Sequence, residues 1–103
     1  IHPIVKNRKI IISDRAVNSL KRIIAKHQQN GFLGADKAKE AILTRLRRLT
    51  VNAEKDSRKA KFGSLDGDYR SVLAWNYRIY YRLEDEEIHV LDIFLDIESG
   101  VRL

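Results

Sequence analysis

The sequence predicts an α+β fold, ordered β-α-α-β-β-β, with a mostly antiparallel sheet and a helical hairpin on one of its faces. Three observations predict it. Apolar residues recur at helical spacing from Ala16 to Leu49, then at a spacing of two from Tyr69 to Leu95. Two good helix-capping residues, Ser13 and Asp14, stand directly before the first helical stretch. Short turns cut the period-two part into three segments, the pattern of an antiparallel meander.

The elements follow in order. Lys9-Ile10-Ile11-Ile12 is short and β-branched and reads as a strand. In the first helix Ala16, Leu20, Ile23, Ile24 and His27 form the apolar stripe, flanked by Arg15, Lys21, Arg22 and Lys26. Gly31 and Gly34 punctuate its end. The second helix is expected from about Ala35 to Leu49, with Ala38, Ala41, Ile42, Leu46, Leu49 and the stem of Arg45 on its inner face. From Asn52 to Asp68 periodicity vanishes. Lys55, Arg58, Lys59 and Lys61 alternate there with Ser and Gly, which reads as a basic loop.

The meander strands are expected at Tyr69–Trp75, Tyr77–Leu83 and Ile88–Leu95, with Asn76 and the acidic run Glu84–Glu87 as turns. Alternation puts Tyr77, Ile79, Tyr81 and Leu83 under the helices, and Arg78, Tyr80 and Arg82 on the other face. Arg70, Val72 and Ala74 are expected beside those arginines, and Ser71, Leu73 and Trp75 under the helices. In the last strand Leu91, Ile93 and Leu95 are assigned to the core, and Asp92 and Phe94 to the arginine face. The predicted core is Leu20, Ile24, Ile42, Leu46, Leu73, Ile79, Tyr81, Leu91 and Ile93. Asp92 is a candidate cross-strand partner of Arg78. Tyr80 and Phe94 form an exposed aromatic pair that either stiffens the sheet or stacks on a base.

With 103 residues the chain has room for one domain, 1–103, with a core of about 9–96. It contains no cysteine, which excludes disulfides and thiolate metal sites and suits a reducing compartment. His2, His27 and His89 lack metal-ligand spacing, so no metal or cofactor is expected. Runs such as Ile10–Ile12 are far too short to cross a membrane, and nothing reads as a secretory signal. The chain opens on Ile1 rather than Met, so the natural start is expected upstream. Charge is segregated. Residues 1–83 carry 19 Lys and Arg against 7 acids, a balance of +12, and residues 84–103 carry 1 Arg against 7 acids, a balance of −6. A basic body of this kind favours a polyanion or an acidic protein as partner.

The stretch Gly67-Asp68-Tyr69-Arg70-Ser71-Val72-Leu73, followed by Asn76-Tyr77-Arg78-Ile79-Tyr80-Tyr81-Arg82 and Val90-Leu91-Asp92-Ile93-Phe94, resembles the C-terminal half of RelE/ParE superfamily toxins. Ile12-Ser13-Asp14-Arg15-Ala16 with Leu20 is similar to their first strand and helix start. The likeness runs over roughly residues 9 to 96. It implies a RelE/ParE-like fold, a bacterial cytoplasmic location, no cofactor, and neutralisation by an acidic antitoxin protein.

The superfamily includes ribosome-dependent mRNA endonucleases and poisons of DNA gyrase. RNA cleavage by the 2′-OH needs a base, an acid and cations for the developing phosphate charge. The resemblance gives Arg78 and Arg70 as candidate catalytic, phosphate-holding residues, and Lys61, Tyr80 and Arg82 as candidate RNA contacts. The chain departs from the endonucleases at Val72, where they carry a second lysine, and in having no Tyr or His after His89. Three readings stay open. They are an mRNA interferase acting on ribosome-bound message, a non-catalytic gyrase inhibitor like ParE, and a degenerate partner-binding relative.

Overall fold

A computed structural model describes residues 7–29, 32–55, 57–60 and 66–96. The order is β1 (Lys9–Ile12), α1 (Asp14–Gln29), α2 (Phe32–Asn52), β2 (Arg58–Lys59), β3 (Asp68–Ala74), β4 (Tyr77–Leu83) and β5 (Glu87–Leu95). The strands form one mixed sheet in the spatial order β1-β5-β4-β3-β2. β1 runs parallel to β5, and the other pairings are antiparallel.

The α+β architecture is as expected, with three differences. α2 is longer than the predicted Ala35–Leu49 at both ends. The basic loop contributes a fifth strand, the two residues of β2, with Arg58 opposite Ser71 and Lys59 opposite Arg70. Neither residue is apolar, so no periodicity marks β2, and only the open edge of β3 makes it a strand. The third difference is the facing of β3 and of part of β5, treated below.

Local chemistry sets the start of α1. Ser13 is the cap, its Oγ accepting from the amide of Ala16 at 3.1 Å, with Asp14 in the first turn. The same Oγ donates to the carbonyl of Leu91 at 2.8 Å, so the cap also pins the helix to β5. At the other end of the hairpin, the buried Tyr81 hydroxyl donates to the carbonyl of Ala53, just past α2. Burial pushes the Tyr81 phenol above its ordinary pKa, so that group stays protonated as a donor.

The core lies between the helices and one sheet face. Ala16, Ala38, Ile42, Leu46 and Leu49 come from the helices, and Val72, Ile79, Tyr81, Ile88, Val90 and Ile93 from the sheet. Leu20 and Ile23 pack against its margin, and Ile24 is half-buried.

Two expectations about strand faces are corrected here. In β3, Val72 is 0% exposed and Leu73 is 43% exposed, the reverse of the predicted arrangement. The turn explains it. Trp75 and Asn76 form a two-residue turn with Ala74 opposite Tyr77, so Val72 meets Ile79 and Arg70 meets Tyr81. Taking Asn76 alone as the turn shifts the register by one, and a shift of one moves every side chain to the other face.

In β5 the ladder skips a residue, with Tyr80 opposite Asp92 but Tyr81 opposite Val90. Leu91 is the unpaired residue of this bulge. Ile88, Val90 and Ile93 are therefore the buried residues, while Leu91 is half-buried and Leu95 exposed.

Candidate functional site

The hairpin register separates the two arginines singled out in the sequence. Arg78 lies opposite Leu73 and Phe94, on the face away from the helices, and Arg70 lies opposite Tyr81, on the helix side. Arg78 is not exposed as alternation suggested, but only 7% accessible. Its Nη2 donates to Asp96 Oδ2 at 3.3 Å and its Nη1 to Ser71 Oγ at 3.1 Å, and its Nε is buried with no hydrogen-bond partner among the described residues.

The anticipated Arg78–Asp92 pair does not form. Asp92 follows the bulge and reaches α1, where its Oδ1 accepts from Ser19 Oγ at 2.5 Å and from the amide of Ile93 at 2.8 Å. Asp96 takes the place of Asp92 from just beyond β5, fixed by its amide donating to the carbonyl of Asn76 at 2.8 Å. No strand pattern marks Asp96. Ser71 was legible through the correct turn length.

Arg70 is held by another set. Its Nε donates to Asp68 Oδ1 at 3.0 Å, its Nη2 to Asp68 Oδ2 at 3.2 Å, and its Nη1 to Ser57 Oγ at 2.9 Å. Lys59 from β2 adds a bond to the same carboxylate at 3.0 Å. The Arg70 fork holds the Asp68 carboxyl below the usual carboxylate range, and Asp68 raises the guanidinium in turn. Both of the arginines singled out for phosphate are thus occupied by carboxylates, on opposite sides of the sheet.

The other candidates are scattered. Tyr80 and the 51%-exposed Phe94 meet edge to face with centroids 5.7 Å apart, beside Arg78, as the expected aromatic pair. Arg82 donates to Glu84 Oε1 at 3.0 Å. Lys61 lies outside the described residues. The acidic turn gathers Glu84, Glu87 and His89, donor atoms all within 4.8 Å of one another, with His89 Nε2 3.1 Å from each carboxylate. The histidine spacings gave no hint of this group, because the turn rather than one element assembles it. Arg82 already shares its Glu84 carboxylate, which makes an ion-pair cluster of it.

A groove of about 240 Å³ runs between α1 and β5, lined by Ile23, Tyr77, Ile93 and Leu95 with Arg22 and Lys26 at its rim. Among the described residues β1 pairs only with Glu87–Val90, so the rest of β5 has no strand on that side. His27, expected on the inner stripe of α1, is half-buried, with its Nε2 in a 2.7 Å hydrogen bond with the hydroxyl of Tyr77, a lining residue of the groove.

The profile of the ParE toxin of type II toxin–antitoxin systems (parDE) matches residues 10–95. The chain belongs to this ParE toxin family. It is the toxin of a type II toxin–antitoxin system, a member of the RelE/ParE superfamily. A comparison with curated protein sequences returns no match.

Solved structures share the fold of this ParE-family toxin at low identity. The chromosomal ParDE system from P. aeruginosa superposes with a TM-score of 0.67 at 20% identity, over 86% of this chain and 96% of that one. The YoeB dimer from Staphylococcus aureus gives 0.61 at 22%, over 85% and 95%. The archaeal RelE–RelB complex from Pyrococcus horikoshii OT3 gives 0.60 at 20%, over 93% and 99%. Among the described residues of the toxin, no helix is long and apolar enough to cross a membrane.

Proposed function

We propose that this toxin arrests growth by binding its target rather than by cleaving RNA, that the target is DNA gyrase, and that an acidic antitoxin holds the toxin in check in the cytoplasm. The observation that carries the first part is the separation of Arg70 and Arg78. In-line cleavage needs uncommitted cations and a proton-transfer pair converging on one phosphate. Here the two guanidinium groups lie on opposite faces of the sheet, each bonded to its own carboxylate. The match to the ParE family, whose relatives include gyrase poisons, supports the choice of target.

The antitoxin reading rests on the groove between α1 and β5. Ile23, Ile93 and Leu95 offer apolar contact, and Arg22 and Lys26 offer cations at the rim. An acidic amphipathic segment complements both, and complementary charge speeds encounter and helps select the partner. Affinity for such a segment falls as salt rises.

Two assays on the purified toxin test the function. Inhibition of gyrase supercoiling, with no new 5′ ends in primer extension of cellular mRNA after induction, is the expected result. Message cut at defined positions with gyrase untouched overturns the proposal in favour of an interferase.

A further inference from the structure

α2 carries a second basic feature that the groove and the two arginines leave unused. Two hollows lie side by side along it. One, of about 250 Å³, is lined by Arg45, Arg48, Asn52 and Lys55. The other, of about 420 Å³, is lined by Thr44, Arg45, Arg48, Leu73 and Trp75, with one acid, Glu40, and two alanines completing it. Arg45 and Arg48 form the shared wall.

The first hollow is built for an anion. It has three cationic side chains, a carboxamide and no carboxylate in its lining. Arg45 Nε is buried without a hydrogen-bond partner among the described residues. Glu54, the acid before Lys55, is paired with Arg8 at 3.2 Å and does not line the hollow. Arg45 and Arg48 are three residues apart on a helix, so their forks can converge on one group. Guanidinium pairs of this kind recognise phosphate oxygens bidentately.

The second hollow names the kind of phosphate. Trp75 is 46% exposed at the tip of the β3–β4 hairpin, and its φ of 56° lies in the left-handed region that a bulky residue rarely adopts. The turn thus holds an indole out where a glycine would be the relaxed choice. His27 stands 5.6 Å from one side of the ring, which limits its movement. A cationic pocket for the backbone next to a fixed aromatic ring for a base is how proteins hold single-stranded nucleic acid. An acidic protein segment would use the cations but has no need of an exposed indole beside them.

We infer that the α2 hollows bind a short stretch of single-stranded nucleic acid, one phosphate among Arg45, Arg48 and Lys55 and one base against Trp75. The site is separate from Arg78 and Arg70, and its occupancy does not depend on which target the toxin arrests.

The chain has one tryptophan, so the proposed ligand contact carries its own reporter. Titration of the purified toxin with oligodeoxythymidylate quenches Trp75 fluorescence, and binding weakens with salt at about 0.7 log units per log unit for each phosphate contacted. In anisotropy with the labelled oligonucleotide, the double variant R48Q/K55Q loses at least about tenfold in affinity, and its salt slope is shallower. Trp75→Ala loses about tenfold, the scale of one base stack, and Trp75→Phe keeps most of the affinity. Lys39→Gln, an exposed α2 charge lining neither hollow, changes affinity less than about twofold. Thermal melts check that each variant is folded; Arg48 and Lys55 are exposed, so they tolerate replacement. The inference is overturned if R48Q/K55Q binds like the parent, if Lys39→Gln weakens binding as much, if a duplex of equal length binds and quenches as strongly, or if polyglutamate of equal charge displaces the oligonucleotide as well as unlabelled strand does.

Discussion

Arg78 and Arg70 sit on neighbouring strands of one hairpin and have opposite environments. Arg78 is enclosed on the face away from the helices, with its carboxylate partner Asp96 equally enclosed. Arg70 lies near the edge on the helix side, and its partner Asp68 is a third exposed and shared with the solvent-facing Lys59. An arginine's burial, not its motif, decides what its ion pair does. The enclosed pair is a structural commitment, since removing one partner strands a charge away from water. The edge pair is bidentate, but its carboxylate is a third exposed, so water and salt screen it and it contributes less than the enclosed one. It also changes how the strand arginine must be tested: Arg78→Ala perturbs folding as well as any chemistry, so a loss of toxicity counts only in a protein shown to be folded.

The largest effect expected from this contrast is at Asp96. Asp96→Ala leaves the Arg78 guanidinium buried without its carboxylate and should cost about 3 kcal/mol in denaturant unfolding. Replacing both partners together, Arg78→Met with Asp96→Leu, should recover most of that loss, because no unpaired charge remains. A single variant as stable as the parent would mean that water reaches Arg78.

The second effect sharpens the assignment of faces. Ile79→Ala, in the core, should cost about 2–5 kcal/mol, whereas Leu73→Ala, on the opposite face and half exposed, should stay within about 1 kcal/mol. Equal costs in the same unfolding assay would restore the one-residue turn and the opposite facing of β3.

The smallest effect concerns the edge pair. The pKa of Asp68 is lower in the folded chain than in the unfolded one, where it titrates at about 3.9. Its contribution is therefore complete above the unfolded value and is lost as pH falls through the folded one, because the unfolded chain takes up the proton first. Asp68→Asn should remove that part of the acid dependence and change stability at neutral pH by less than about 1 kcal/mol. Parallel stability–pH curves for the two proteins below pH 4 would show that Asp68 is not the responsible carboxylate.

Much of the architecture was legible in the sequence, and specific residues show where legibility ended. The Ser13 cap, the stripe through Ala38, Ile42, Leu46 and Leu49, and the inward set Tyr77, Ile79 and Tyr81 follow from spacing alone. So does the Tyr80–Phe94 contact, although Tyr80 is half-buried in it. The facing of β3 was also within reach, because tight hairpins close on two residues rather than one. The bulge at Leu91 and the strand at Arg58–Lys59 were not, since nothing in either segment departs from the pattern of its neighbours.

From the sequence came the order of the two helices and of β1, β3, β4 and β5, the residues that share a face within the helices, β3 and β4, the segregation of charge and the superfamily. Only the tertiary structure decided which face of β3 meets the helices, that Asp92 serves Ser19 while Asp96 serves Arg78, and that the two arginines are apart. The physical reason is one of range. Periodicity is fixed by the backbone geometry of a single helix or strand and is written locally. Pairing between elements depends on turn length, on one extra residue in a ladder, and on which carboxylate reaches a buried cation first, and those are settled only when the strands meet.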